Sequence, residues 1–345
     1  MKVSPLDRVH RALGARMTPF GGWDMPLQYE SGTLAEHLAC RESAVVFDVS
    51  HLGTVRVEGP GARARLQSAF TNDLDKIRPG RAQYTHLLDA GDASVLDDII
   101  VWWIDDEVFD VMPNASNTDR VIDAIGGVDT TATRAVLAVQ GPHARDLVAS
   151  VVPEAGDLRK FGVSRFRWRG HDGVIAGTGY TGESGVEIAV PAAAAEELWS
   201  AITATGVAPA GLGARDTLRL EVALPLHGHE LGAGITTLQA DLEWVVAWNK
   251  SFVGREALLA EKNRGVTRIL RGIATEGRRP PRAECPVLVG DETVGVVTSG
   301  NFSPILGHGI ALALVRPDVA GAVTIDVRGS NLAGRIVPTP FVTKK

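Results

Sequence analysis

The chain has 345 residues, 45% of them apolar and 22% charged, usage that places it among folded globular proteins and excludes a disordered chain. Thirty-five basic residues against 41 acidic ones leave a net charge of -6, the wrong sign for a protein whose affinity comes from neutralising phosphates, so nucleic acid is not an expected partner. Apolar runs such as Ile99 to Ile104 are far shorter than the ~20 residues of a spanning helix, and Cys40 and Cys285 are too few for a disulfide framework, so a reducing cytoplasm and no membrane are expected.

From the N-terminus, the first 17 residues lack a continuous apolar core and are interrupted by Asp7, so no secretory signal is expected. Lys2, Arg8, Arg11 and Arg16 leave a mitochondrial presequence as the alternative. Periodicity then predicts a helix at Thr33 to Ser43, a strand at Gly53 to Val57, and a helix at Ala62 to Phe70. Strands follow at Tyr84 to Leu88, Asp98 to Trp103 and Val108 to Met112, then a helix at Asn117 to Ala124. A strand at Ala135 to Val139, a helix at Pro142 to Ser150, strands at Val174 to Gly177 and Gly185 to Val190, and a helix at Ala192 to Thr203 complete the mixed part. Irregular alternation of this kind predicts an α+β fold. Beyond about residue 265 six short strand patterns follow one another: Ile269 to Ile273, Pro286 to Leu288, Thr293 to Thr298, Gly309 to Leu314, Ala322 to Ile325 and Asn331 to Ile336. They predict a small closed β-barrel or a sandwich.

Several clusters could carry chemistry. Asp97 and Asp98 stand at the mouth of an apolar strand, where desolvation suits a carboxylate to proton exchange or to stabilising a cation; the alternative is a turn at a strand edge. Strand alternation points the two acids to opposite faces and puts Trp102 on the Asp98 face. The glycine-rich turn from Gly177 leads into a strand whose Val186, Ile188 and Val190 share one face and leave Glu187 on the other. Glu187 is either an exposed strand residue or a fork for two parallel N–H donors of a heterocycle. Gly211 and Gly213 open a helix on which Arg215 and Arg219 lie four apart, suited to a carboxylate ligand or to salt bridges with Asp216 or Glu221. His227, His229 and Glu230 invite a metal reading, but alternate residues of an extended segment diverge, and none is expected. Ser50 and His51 are chain neighbours that cannot pair as nucleophile and base, and Asn114 and Asn117 read as turn residues or as ligand-binding amides.

The motifs Phe20-Gly-Gly-Trp-Asp-Met-Pro26, Phe47-Asp-Val-Ser-His51, Thr71-Asn-Asp73, Leu96-Asp-Asp-Ile99, Val139-Gln-Gly-Pro142, Gly179-Tyr-Thr-Gly-Glu183, Gly211-Leu-Gly-Ala-Arg-Asp216 and Thr298-Ser-Gly-Asn-Phe-Ser-Pro304 occur in one order across the chain. Together they resemble the glycine cleavage T-protein family of aminomethyltransferases. The resemblance implies three domains around a central folate site: residues 1–50 with 135–265, residues 51–134, and a C-terminal barrel over 266–345. It also implies that Asp98 is the essential carboxylate beside the reacting nitrogens of tetrahydrofolate, that Glu187 grips the pterin, and that Arg215 lies near the other end of the folate. Tyr84, Trp102, Asn114 and Tyr180 fall at pocket positions. Tetrahydrofolate is the implied co-substrate, with no metal, and a lipoylated H-protein the implied partner, with glycine decarboxylase and lipoamide dehydrogenase as indirect ones. Departures occur at Leu52, where Met is usual, at Ala93-Ser94, where glycines are common, and at Pro225 to Glu230, where Leu-Tyr-Gly-Gln is typical. They keep open a tetrahydrofolate-dependent demethylase of the same fold. A non-catalytic folate-binding protein of iron–sulfur maturation would carry Lys-Gly-Cys, which neither cysteine provides.

Overall fold

A computed structural model describes residues 1–343. The chain forms an α+β structure with three open sheets and a closed barrel, gathered into two compact units: Met1–Thr85 with Ile99–Arg215, and His86–Asp98 with Asp216 onward.

In the first unit a six-stranded sheet runs in the order Val163–Trp168, His171–Ala176, Gly185–Pro191, Arg134–Gln140, Val45–Asp48, Ala208–Pro209. Arg134–Gln140 is buried along its whole length. A strand covered on both faces needs no polar alternation, which is why its sequence reads as an apolar run. Leu137, Ile175, Val186 and Ile188 share a core with Leu198, Trp199 and Ile202 of the helix Ala195–Thr203. The three- and four-residue spacing of the buried positions of that helix makes its apolar stripe, and each such side chain contributes about 1.5–3 kcal/mol by leaving water.

The N-terminal segment is folded into this unit. Helix Asp7–Ala12 buries His10, whose Nε2 donates to Asp48 Oδ2 at 2.8 Å while Nδ1 pairs with the Tyr29 hydroxyl at 2.8 Å. The Ser4 hydroxyl and the Ser50 N–H also donate to Asp48. Burial raises the pKa of Asp48, but these donors, His10 first, outweigh it and hold the carboxyl below its usual range. The strands Arg16–Phe20 and Trp23–Gln28 form a hairpin through Gly21 and Gly22, with φ of +55° and +85°. Two positive φ values favour a Gly-Gly turn of the type that matches strand twist. Periodicity missed this hairpin because Pro19 and Pro26 sit inside its strands.

A five-stranded sheet has the order Arg81–Leu88, Val95–Asp105, Val108–Met112, Val55–Glu58, Val128–Asp129. The boundary between the units passes through its first two strands, so Asp97 and Asp98 belong to the second unit and Trp102 to the first.

In the second unit the six late strands close into a barrel. Gly309–Val315 is buried throughout. Ala311, Ala313 and Val315 pack with Ile273, Val287 and Ile325 in one core, while the alternate residues Ile310, Leu312 and Leu314 meet Leu220 in another. Period-two alternation thus supplies two apolar faces, one filling the barrel and one covered from outside. The helix Arg255–Arg264 escaped sequence reading because its buried residues are Leu258 and the acid Glu261, which accepts from Thr236 Oγ1 at 2.5 Å and Gln239 Nε2 at 2.8 Å. No helix among the described residues is long and apolar enough to cross a membrane.

Arg219 ties this unit together. Its side chain, 2% exposed, donates to Glu230 Oε2 at 2.9 Å, to Ser299 Oγ at 2.8 Å and to Asp216 Oδ1 at 3.0 Å. Arg219→Ala strands the wholly buried Glu230 carboxylate and is expected to lower stability by about 3–5 kcal/mol. Chemical denaturation checks this, and the exposed Arg165 serves as the near-neutral control.

Candidate functional site

In the first unit the glycine-rich turn is shaped around Gln140. The Gln140 amide donates to the Thr178 carbonyl at 3.2 Å, and its carbonyl accepts from the Thr181 hydroxyl at 3.0 Å. A Cβ at Gly179 would fall 1.9 Å from Gln140 Oε1, and one at Gly185 would fall 2.3 Å from the Val139 carbonyl, so both positions need glycine. The turn delivers Thr178 to Glu187, whose Oε2 accepts from the Thr178 hydroxyl at 2.5 Å. Val186, Ile188 and Val190 lie in the core as the alternation predicts, and Glu187 stands on the opposite face at 7% exposure. Of the two sequence readings, the exposed strand residue is therefore excluded.

Arg215, near the start of helix Leu212–Glu221, lies over the Tyr180 ring at 4.8 Å from its centroid. Its Nη1 is enclosed and has no hydrogen-bond partner among the described residues. Burial lowers its pKa, and the Glu187 charge acts against that. The companion arginine of the predicted pair is not available to a ligand, because Arg219 is committed to Asp216 and Glu230. His51 is buried against the edge of Phe20, and burial, then the Arg215 charge, push it down to about 4, so it is neutral at ordinary pH. Cys40 is buried too and pushed up to about 12, an inert thiol.

Trp102 is wholly buried, with its Nε1–H unpartnered among the described residues. Tyr84, half-buried, is fixed through its carbonyl, which accepts from Asn72 Nδ2 at 2.9 Å. Asn114 and Asn117 close a turn, the Asn117 N–H donating to the Asn114 carbonyl at 2.9 Å, ahead of the helix Thr118–Ile125. A buried donor without an acceptor costs about 1–3 kcal/mol. Trp102 and Arg215 each hold such a donor.

In the second unit Asp97 is wholly buried and Asp98 is 13% exposed at its side chain. Despite their opposite strand faces, both Oδ1 atoms approach one ring: His227 Nδ1 lies 3.7 Å from Asp98 and 3.8 Å from Asp97. His229 turns elsewhere, its Nδ1 at 2.8 Å from the Thr298 carbonyl, and Glu230 serves Arg219, so the predicted divergence of this stretch is observed. No local pattern signals that His227 returns to the acid pair, since about 130 residues of chain separate them, whereas Thr178 and His51 lie within or beside the motifs quoted above.

His86 lies beside this group, its Nδ1 paired with Thr237 Oγ1 at 2.9 Å; burial, then the nearby His227, push it down to about 3. The unfolded chain takes up protons at His86 and His51 near ~6.5 and the folded chain does not, so stability is complete above that pH and falls as pH drops toward about 4. Melting curves are expected to show Tm falling through this window, and His86→Asn to have a flatter acid slope. An identical slope would remove His86 as a cause.

The comparisons with known proteins cover nearly the whole chain. Residues 6–250 match the GCVT N-terminal domain, and residues 268–343 match the glycine cleavage T-protein C-terminal barrel domain. The aminomethyltransferase of Mycobacterium avium is 45% identical over 359 residues, covering 99% of this chain and 97% of that protein. The aminomethyltransferase of Mycobacterium tuberculosis is 46% identical over 360 residues with the same coverage. The crystal structure of glycine cleavage system aminomethyltransferase T from Bartonella henselae is 32% identical and superposes with a TM-score of 0.93, covering 100% of this chain and 99% of that one. With two family models, full-length relatives and the fold in agreement, the chain belongs to the glycine cleavage T-protein family of tetrahydrofolate-dependent aminomethyltransferases.

Proposed function

We propose that this enzyme takes an aminomethyl group carried as a thioether on the lipoyl arm of an H-protein and passes its carbon to tetrahydrofolate. The products are methylenetetrahydrofolate, ammonia and a dihydrolipoyl arm, the two N–H protons of the folate going to the leaving nitrogen and sulfur. Glycine decarboxylase and lipoamide dehydrogenase would act on the same arm in other steps. Unpaired Cys40 and Cys285 suit a reducing, cytoplasmic setting.

The observation that carries the reading is the burial of Glu187 with Thr178 fixing one of its oxygens. A pterin presents an exocyclic amine and a ring N–H as parallel donors, and a carboxylate held by one neighbour matches them as a fork. Arg215, charged and with a spare N–H, suits the acidic end of the folate, and Tyr180, Trp102, Tyr84 and Asn114 complete the proposed binding set. Asp98 acts on the reacting nitrogens. Positive charge develops on the transferred carbon as its bond to the donor breaks, and a fixed carboxylate stabilises that charge and takes up protons from the attacking folate. Binding both partners makes the transfer nearly intramolecular.

Ammonia release from aminomethylated H-protein tests this reading. Release is expected to require the enzyme, the loaded carrier and tetrahydrofolate together. Demethylation of a small N- or S-methyl compound, with the carrier left untouched, would replace the reading by the demethylase one.

A further inference from the structure

The loop after helix Leu212–Glu221 is built to hold one side chain. Gly228, at φ +90°, donates its N–H to the Leu231 carbonyl at 2.7 Å. Glu230, wholly buried, accepts at 2.9 Å both from the Leu226 N–H and from Arg219 Nη1. His229 is anchored on the Thr298 carbonyl. These contacts fix a turn from which His227 reaches the acid pair, with 15% of its side chain exposed. One ring nitrogen of His227 and one carboxylate oxygen each from Asp97 and Asp98 lie within 4.8 Å of one another. Two carboxylates that close would ordinarily share a proton, because each makes ionisation of the other harder. His86, a further titratable group near the ring, is pushed down to about 3 by burial and then by His227, so it is neutral and supplies no counter-charge.

We propose that His227 is a positioning residue for Asp98: its imidazolium, held between the two carboxylates, keeps both ionised and fixes the orientation of the Asp98 carboxylate for one-carbon transfer. The inference rests on the role given to Asp98 above. At 3.7 and 3.8 Å these contacts are ionic rather than hydrogen-bonded.

Two measurements on the full chain test it. In His227→Gln the acid limb of the kcat profile is expected to move about one unit to higher pH, because Asp98 without its counter-charge protonates more readily. Below the limb kcat then falls about tenfold and recovers at higher pH, with KM for tetrahydrofolate unchanged. A loss uniform across pH would mean a merely structural role and overturn the inference. Histidine-labelled NMR, which needs no turnover, follows the ring itself: the His227 midpoint is expected to fall by about one unit in Asp98→Asn. An unchanged midpoint overturns the inference whatever the assay shows. A shifted midpoint with full turnover of Asp98→Asn would remove Asp98 from the reaction, and the inference with it.

Discussion

Asp98→Asn is expected to bind tetrahydrofolate as tightly as the unaltered chain and to lose turnover by about 100-fold or more. The amide keeps the size and polarity of the side chain, so packing at the mouth of Val95–Asp105 is undisturbed. What disappears is the negative charge that answers the developing positive charge on the transferred carbon, together with the proton acceptor. An interaction made mainly in the transition state lowers kcat and leaves KM alone. Steady-state ammonia release at saturating folate reads this split. Unchanged kcat would pass the role to Asp97, whose complete burial already argues against contact with substrate.

Glu187→Ala is expected to fail at the other step. Losing both donors of the pterin to a charged acceptor should weaken tetrahydrofolate binding by about 100-fold, or about 3 kcal/mol, while the chemistry of whatever folate still binds is less affected. The variant also removes the charge that opposes the burial of Arg215, so some loss of stability accompanies it. Glu187→Gln keeps the shape and separates the two effects. Calorimetry giving equal affinities for the parent and both variants would refute the pterin assignment.

Much of this architecture was legible in the sequence, for physical reasons that differ by element. The six barrel strands were visible because each carries a short apolar run bounded by turn residues. The choice between barrel and sandwich was not, since closure depends on the pairing of Ile269–Thr275 with Asn331–Val337 far along the chain. The face of Glu187 followed from period-two alternation, but its burial did not, because the Thr178 hydroxyl and the turn around Gln140 bring it about. Arg215 and Arg219 looked equivalent on one helical face. Only packing separates them, placing one over Tyr180 and locking the other to Glu230. The approach of His227 to Asp97 and Asp98 was not legible, because the acids are distant in sequence and meet the ring only through the fold.

The most direct test of the central claim is a crystal structure of the chain with tetrahydrofolate bound. The account predicts the exocyclic amine and ring N–H of the pterin on the Glu187 carboxylate, Thr178 still donating to Oε2, and the acidic end of the folate on Arg215. Folate held by other residues, with Glu187 and Arg215 making no contact to it, would contradict the account.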